Sequence, residues 1–305
     1  MTDFYSSKFR VRFLYIYVFA LIYLEFSYYI VVSSPISGLA RMLICVSLSI
    51  LLPIVYGIKI KPRTLCLFIY FILLTVSSSI WDGDIWSYLQ LLVSITLSFL
   101  IVSTVRLDAL IKAFSDLMFA LAVYSLLVFG ANLAFPALMA KFPLIGYVYE
   151  TNAQARNAIF SVFLSNAESF RNYGIAWEPG AFAVLLCLAL FCVLFLTEKA
   201  RPGRITVFFI TIFTTFSTTG YIAVLAILLI FFIERRNINK KVRVGLYMLL
   251  IGAICAFLFA PISIVDIVFA KLSGLSSGRT GSVAYTTQVR LDAIEYPLKA
   301  FFSRP

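Results

Sequence analysis

The stretch "ITVFFITIFTTFSTTGYIAVLAILLIFFI", Ile205 to Ile233, is apolar throughout, and its length decides how the chain is arranged. At about 1.5 Å per residue it reaches roughly 43 Å, which exceeds a bilayer core of roughly 30 Å but falls short of two full crossings. The flanking segments "EKARPGR" and "ERRNINKKVR" are rich in Lys and Arg, as cytoplasmic loops are. Both ends are therefore expected on one side. We predict a hairpin of two short helices (205–233) that meet around Ser217 to Gly220, either re-entrant or as two thin spans.

The composition of the whole chain is that of a membrane protein. Of its 305 residues, 62% are hydrophobic and only 13% are charged, whereas soluble domains are about half apolar and a quarter charged. The sequence predicts an all-α fold, a polytopic membrane helix bundle formed by a single integral-membrane domain over 1–305. About seven full spans are expected besides the hairpin, at 13–33, 42–58, 64–80, 87–105, 117–136, 180–197 and 244–264.

The basic residues indicate how the bundle is oriented. Under the positive-inside rule the short loops rich in Lys and Arg lie in the cytoplasm, and so does the N-terminus. The acidic turn between Trp81 and Trp86 then falls on the opposite side. Because the net charge of +11 is explained mostly by loops that face anionic lipid, it gives no reason to expect a nucleic-acid partner.

Two side-chain types exclude several kinds of chemistry. Histidine is absent, and the five cysteines all lie in apolar runs without metal or disulfide spacing. The chain therefore lacks the residues for a Ser-His-Asp triad or a His-ligated zinc site. We expect neither a cofactor nor a metal ion.

Two segments are longer than the other connections, an exoplasmic loop at 137–177 and the start of a second exoplasmic loop at 265–305. Long connections of this kind usually carry function. In the first, "YETNAQARNAIFSVFLSNAESFR" passes from a polar half to an apolar half. That pattern predicts an amphipathic helix lying at the membrane interface.

Four further charged positions have simple interpretations. In "VRLDALIKAFSDL", Asp108, Lys112 and Asp116 are four residues apart, as on the solvated face of an interfacial helix. Glu25 falls inside the first predicted span, where an acid is costly. We expect it to pair with Arg41; the alternative is a proton-coupled role.

The stretch "RNYGIAWEPG", Arg171 to Gly180, stands at the start of a predicted span. Pro179 suits the first helical position, and an acid just before it is favoured by the helix dipole. The simplest interpretation of Glu178 is therefore a charge-stabilised helix start, with Arg171 as an interfacial anchor or as its salt-bridge partner.

Neighbouring residues favour a binding site at the same place. Gly174 permits a close approach of the backbone, and the rings of Tyr173 and Trp177 can stack on sugars, although interfacial anchoring explains such rings equally well. An arginine and a carboxylate beside these groups suit a ligand that carries both an anion and sugars.

The pattern R-x-x-G-x-x-x-E-P-G at the start of a helix, followed by a basic turn and "FSTTGYIAVL", resembles the O-antigen polymerase and ligase superfamily, which includes the Wzy-type polysaccharide polymerases. The end of the chain, "SSGRTGSVAYTTQVRLDAIEYPLKAFFSRP", resembles the second exoplasmic segment of that family. There an arginine, matched here by Arg290, opens a helix that runs to a proline, matched by Pro305. The resemblance implies a glycine turn and closing helices beyond this point, and hence a longer protein.

The resemblance implies glycosyl transfer at the outer face of the bacterial inner membrane, where undecaprenyl-pyrophosphate-linked oligosaccharide repeat units are polymerised. By that resemblance Arg171, Arg279 and Arg290 contact the pyrophosphate, Arg156 is a further contact, and Glu178 is the base. The implied partners are the lipid-linked oligosaccharide, the lipid bilayer and a regulator of chain length.

Two other functions remain open. An O-antigen ligase would use the same arginines to move finished glycan to an acceptor, but the ligases generally carry an exoplasmic histidine, which this sequence lacks. A lipid-oligosaccharide flippase usually shows internal repeats and midplane charges, and no repeat is visible here.

Overall fold

The computed structural model describes residues 2–27, 30, 38–82, 85–148, 153–165, 171–197 and 202–234. All of them fall in the compact unit Met1–Arg235. This part of the chain is mostly helical, with one small sheet. Its helices are α1 (Thr2–Phe26), α2 (Gly38–Tyr56), α3 (Pro62–Asp82), α4 (Ile85–Thr104), α5 (Leu107–Ala134), the short α6 (Pro136–Met139), α7 (Pro179–Phe191), α8 (Pro202–Thr214) and α9 (Thr218–Glu234).

Helices overlap six of the seven predicted spans, but α1 and α5 begin well before the predicted spans 13–33 and 117–136. Seven full spans are not shown: in the described part of the chain, two helices are long and apolar enough to cross a membrane by length and composition, namely α5, and α7 extended by the π-helical turn Cys192–Leu196. Shorter apolar helices occur at the windows 42–58, 64–80 and 87–105 and in α8 and α9. The window 244–264 lies outside the described residues.

The predicted hairpin of two short helices is confirmed. Helices α8 and α9 are joined by the α8–α9 junction, Thr215–Ser217. The Ser217 hydroxyl accepts a hydrogen bond from the Gly220 N–H (3.3 Å) and so caps the first turn of α9. Gly220 itself is pressed against α7, because a methyl group at this position would lie 2.7 Å from Cβ of Ala183.

The prediction of an all-α fold is wrong in one place, because the loop between α6 and α7 contains an antiparallel sheet. Its strands are β1 (Leu144–Val148), β2 (Ala153–Ala158) and β3 (Ser161–Ser165), in that order. Strands β2 and β3 pair from Gln154 opposite Ser165 to Ala158 opposite Ser161. The interfacial helix expected over this stretch is therefore a β-hairpin, with Ile159 and Phe160 as its two-residue turn.

Residues on both faces of the β-hairpin are buried. An amphipathic helix at the interface would bury residues on one face only, so the β-hairpin makes more contacts. Ala155, Val162 and Leu164 pack with Tyr173 on one face. Ala158 and Phe163 pack on the other face against Val128 of α5 and Met139 of α6.

Asp116 is also not part of a solvated face. The Tyr15 hydroxyl donates a hydrogen bond of 2.6 Å to one of its oxygens, and Arg204 forms an ion pair with the other. The Arg204 guanidinium lies over the Phe119 ring, 5.3 Å from its centroid. Asp116 therefore ties α5 to α1 and α8. The predicted solvent exposure is confirmed for Asp108, which pairs with Arg106 at 2.8 Å.

The expected pair of Glu25 and Arg41 is not formed. These two side chains, both described, make no ion pair, and Glu25 instead accepts a hydrogen bond of 3.2 Å from the Cys45 thiol. The first helix ends at Phe26, because Ser27 pairs as an extended residue with Ala176. Glu25 thus lies exposed in the last turn of α1 rather than deep inside a span.

Candidate functional site

The residues that lead into α7, Arg171–Glu178, form a non-helical segment, here called the pre-α7 segment, that runs through the interior of the bundle. Five consecutive residues of the segment, 172–176, are buried. Irregular backbone is tolerated in an apolar interior only where its N–H and C=O groups find partners. The hydrogen bonds that satisfy these backbone groups also fix the position of the segment.

Backbone hydrogen bonds anchor the segment to three elements. The Asn172 N–H donates to the Thr214 carbonyl of α8 (2.8 Å), and the Trp177 N–H donates to the Phe26 carbonyl of α1 (2.9 Å). The Gly174 carbonyl accepts a bond of 2.6 Å from the Val162 N–H of β3. The ends of α1 and α8 and the β-hairpin therefore hold the chain where α7 begins.

Asn172 is a buried polar position that the sequence analysis did not single out. Its side-chain N–H groups donate to the Ser125 hydroxyl of α5 (3.2 Å) and the Thr214 hydroxyl of α8 (3.0 Å). Its side-chain oxygen accepts the Gly174 N–H at 3.0 Å. The available signal was Ser125, a polar residue inside an apolar helix, which often marks an interhelical hydrogen bond.

Gly174 fulfils the expectation of a close backbone approach. Its φ is +53°, in the left-handed region that favours glycine, and a methyl group there would overlap the ring of Phe182. The neighbour is a side chain of α7, so the close approach is one between the pre-α7 segment and the helix that follows it.

Arg171 is half-buried and reaches the α8–α9 junction. Its Nε donates a long hydrogen bond of 3.4 Å to the Thr215 carbonyl, and its guanidinium acts electrostatically on the Tyr221 hydroxyl. A cation is favoured there by the helix dipole, because helix α8 ends at this point. Its two terminal nitrogens form no hydrogen bond with any described residue.

Glu178 occupies the N-cap position of α7 in an extended conformation, but its side chain makes no capping hydrogen bond. It forms no ion pair with Arg171 or with any other residue that the structure describes. A methyl group on Gly180 would lie 3.4 Å from Oε1 of Glu178 and 3.7 Å from the Ser217 hydroxyl, so both oxygens lie over Gly180. The salt bridge considered as a role for Glu178 is thus not formed.

The two aromatic residues of the segment differ in their surroundings. Trp177 is 41% exposed and can offer a ring face to a ligand. Tyr173 is 5% exposed and packs on the sheet with Ala155 and Leu164. A ring buried to that degree has no free face in this conformation, so the structure gives Tyr173 a packing role.

Arg156 lies in β2 with its guanidinium turned toward internal partners. It donates to the Phe142 carbonyl (2.6 Å) and to the Gln154 side chain (2.7 Å), while its Nε is buried without a partner among the described residues. These bonds use two of the N–H donors of the guanidinium and tie β2 to the loop after α6.

The remaining predicted site residues, Arg279 and Arg290, lie outside the described residues, as does the segment 265–305. In the described part of the chain, no three His, Cys, Asp or Glu residues are grouped so that they could hold a metal ion.

The arrangement brings opposite charges to one place without pairing them. The N-termini of α7 and α9 meet around Gly180 and Ser217, and helix N-termini favour a negative charge nearby. Arg171 lies at the same junction, and the Glu178 carboxylate forms no ion pair with it or with any other described residue. Such a site can bind an anionic group and take a proton from a second group beside it.

Comparison of the chain with protein-family models, with curated proteins and with solved structures gave no match.

Proposed function

We propose that this chain belongs to a membrane enzyme that polymerises oligosaccharide repeat units carried on undecaprenyl pyrophosphate, at the outer face of the bacterial inner membrane. The observation that carries the proposal is the pair of unpaired opposite charges at the α8–α9 junction. Among the described residues, the terminal guanidinium nitrogens of Arg171 have no hydrogen-bond partner and the Glu178 carboxylate has no ion-pair partner.

The proposed reaction uses one hydroxyl group and one pyrophosphate. The hydroxyl of an incoming repeat unit attacks the anomeric carbon of the growing glycan and forms the new glycosidic bond. The bond from that carbon to the pyrophosphate oxygen breaks, and undecaprenyl pyrophosphate leaves with the bonding electrons. Glu178 takes the hydroxyl proton, and Arg171 neutralises the charge that builds on the pyrophosphate through two parallel hydrogen bonds.

The proposed roles follow the surroundings of each side chain. Arg171 binds the anion, Glu178 is the base and Trp177 stacks on a sugar, because these three have free polar atoms or an exposed ring. Arg279 and Arg290 remain predicted anion contacts. Arg156 and Tyr173 are left out, because their hydrogen bonds and burial give them structural roles.

The test of the base is Glu178→Gln, expressed as the full-length protein in a strain without its own copy of the gene. Loss of a general base lowers a rate by roughly 10²- to 10⁴-fold, so we expect glycans of a single repeat unit on a gel in place of a ladder. Glu234→Gln is the matched control, because Glu234 is an exposed glutamate at the end of α9, and it should leave the ladder unchanged. A normal ladder from Glu178→Gln at equal expression would refute the assignment.

The same experiment separates the alternatives. A defective polymerase leaves single repeat units that still reach their final acceptor. A defective ligase leaves long glycan on its lipid carrier, and a defective flippase leaves single units on the cytoplasmic side. Long carrier-bound glycan in the Glu178→Gln strain would therefore replace the polymerase proposal with the ligase.

A further inference from the structure

The turn of the β-hairpin, Ile159 and Phe160, here called the hairpin tip, lies between two helices. The Phe160 ring makes edge-to-face contacts with Phe19 of α1 (5.4 Å between centroids) and Tyr124 of α5 (6.3 Å). On the side away from these helices the tip is open, with Ile159 65% exposed and Phe160 42% exposed. The tip is thus wedged into a helix pair and presents an apolar outer surface.

The backbone of the tip is unusual for a turn in water. Ile159 has a φ of +60°, a conformation that disfavours a β-branched residue and that water-facing two-residue turns usually fill with Asn or Gly. The Ala158 carbonyl accepts two hydrogen bonds, from the Phe160 N–H (2.7 Å) and from the Tyr124 hydroxyl (2.7 Å). This carbonyl is therefore satisfied inside the protein, as a lipid environment requires.

The position of the tip along the helices indicates its depth. Tyr124 precedes Ala134, the last residue of α5, by ten residues, or about 15 Å of helix. Because α5 is long and apolar enough to cross a membrane, a group beside Tyr124 lies about 15 Å below the end of that helix, whereas the edge-to-face contact of Phe160 with Tyr23 (6.4 Å between centroids) places the tip nearer to the end of α1. One turn further along α5, Leu127 is 67% exposed and continues the apolar surface of the tip. Of the polar residues of β2, Gln154 lies at the far end of the hairpin, Arg156 in its middle opposite Phe163, and Asn157 opposite Val162, one pair removed from the turn.

We propose that the hairpin tip is a membrane-inserted anchor whose outer surface contacts the acyl chains of the lipid bilayer. Transfer of an exposed isoleucine side chain from water into hydrocarbon is favourable, and no charged residue flanks Ile159 in the turn. The β-hairpin then enters the bilayer from the side where α5 ends, held between α1 and α5. This inference does not depend on the proposed enzymatic reaction.

The test places a fluorescent label at Ile159→Cys in the full chain, with the five native cysteines replaced by alanine, in liposomes. Quenching is measured with lipids that carry a nitroxide deep in the acyl chain, and separately with iodide in the water. Leu127→Cys serves as the lipid-facing control. Asp108→Cys serves as the water-facing control, because Asp108 is exposed at the start of α5.

We expect the Ile159 label to match the Leu127 label, with strong quenching by the lipid nitroxide and little by iodide. Quenching by iodide, as at Asp108, would place the tip in water and overturn the proposal. Quenching by neither agent would show that protein covers the tip, which also overturns it. If the Leu127 label itself is not quenched by lipid, the depth argument fails and the proposal with it.

Discussion

At the scale of single residues, the pre-α7 segment depends on two positions that are constrained by their neighbours. Asn172 uses both its donors and its acceptor inside the protein, and Gly174 has a backbone conformation and a neighbour that exclude a side chain. The sequence predicted that Gly174 permits a close approach. It could not reveal that the neighbour is Phe182, because that contact depends on how the segment folds back on α7.

Gly174→Ala should destabilise the protein more than an ordinary surface substitution. The left-handed conformation alone costs an L-residue about 1–2 kcal/mol, and overlap with Phe182 adds to this. Thermal unfolding in detergent, followed by fluorescence, should show a lower midpoint.

Gly130→Ala is the matched control, because Gly130 lies inside α5 with open space around it. Alanine in a helix interior is favoured over glycine by about 0.5–1 kcal/mol, so this midpoint should stay or rise. Equal midpoints for the two variants would show that Gly174 is not constrained as described.

At the scale of elements, the sequence predicted helices better than strands for a physical reason. The length of an apolar run is a local property. It predicted where helices occur, but not the residues at which they begin and end. The β-hairpin was missed because its turn is Ile159–Phe160 rather than Asn-Gly, and because both faces of β3 are buried, which hides the alternation of a half-exposed strand. Its stability comes from contacts with α5 and Tyr173, which no local pattern contains.

The two ion pairs of α5 give a test at this scale. Asp116→Asn should lower stability by about 1–3 kcal/mol, since it leaves the half-buried Arg204 without its carboxylate and weakens the bond from Tyr15. Asp108→Asn breaks the exposed pair with Arg106 and should cause no measurable change. Chemical denaturation of both variants checks this. A similar loss from both would mean that Asp116 does not hold α1, α5 and α8 together.

At the scale of the whole molecule, the site is a meeting of elements that are distant in sequence. Arg171 and Glu178 are close along the chain, so the sequence could place them together. It could not show that they stay unpaired, that Thr215 and Ser217 lie beside them, or that Arg156 turns to Phe142. Those facts depend on how α7, α8 and α9 pack. Whether Arg279 and Arg290 join the site stays a prediction.

The central claim is that the free guanidinium of Arg171 binds a pyrophosphate leaving group during glycan transfer. The most direct measurement supplies the purified full chain in liposomes with undecaprenyl-pyrophosphate-linked repeat units and quantifies free undecaprenyl pyrophosphate together with glycan length. We predict one free lipid pyrophosphate for each new glycosidic bond, a rate lowered in Arg171→Lys, which keeps the charge but loses the two-pronged donor, and no growth in Arg171→Ala. Glycan growth in Arg171→Ala at the wild-type rate would contradict the claim.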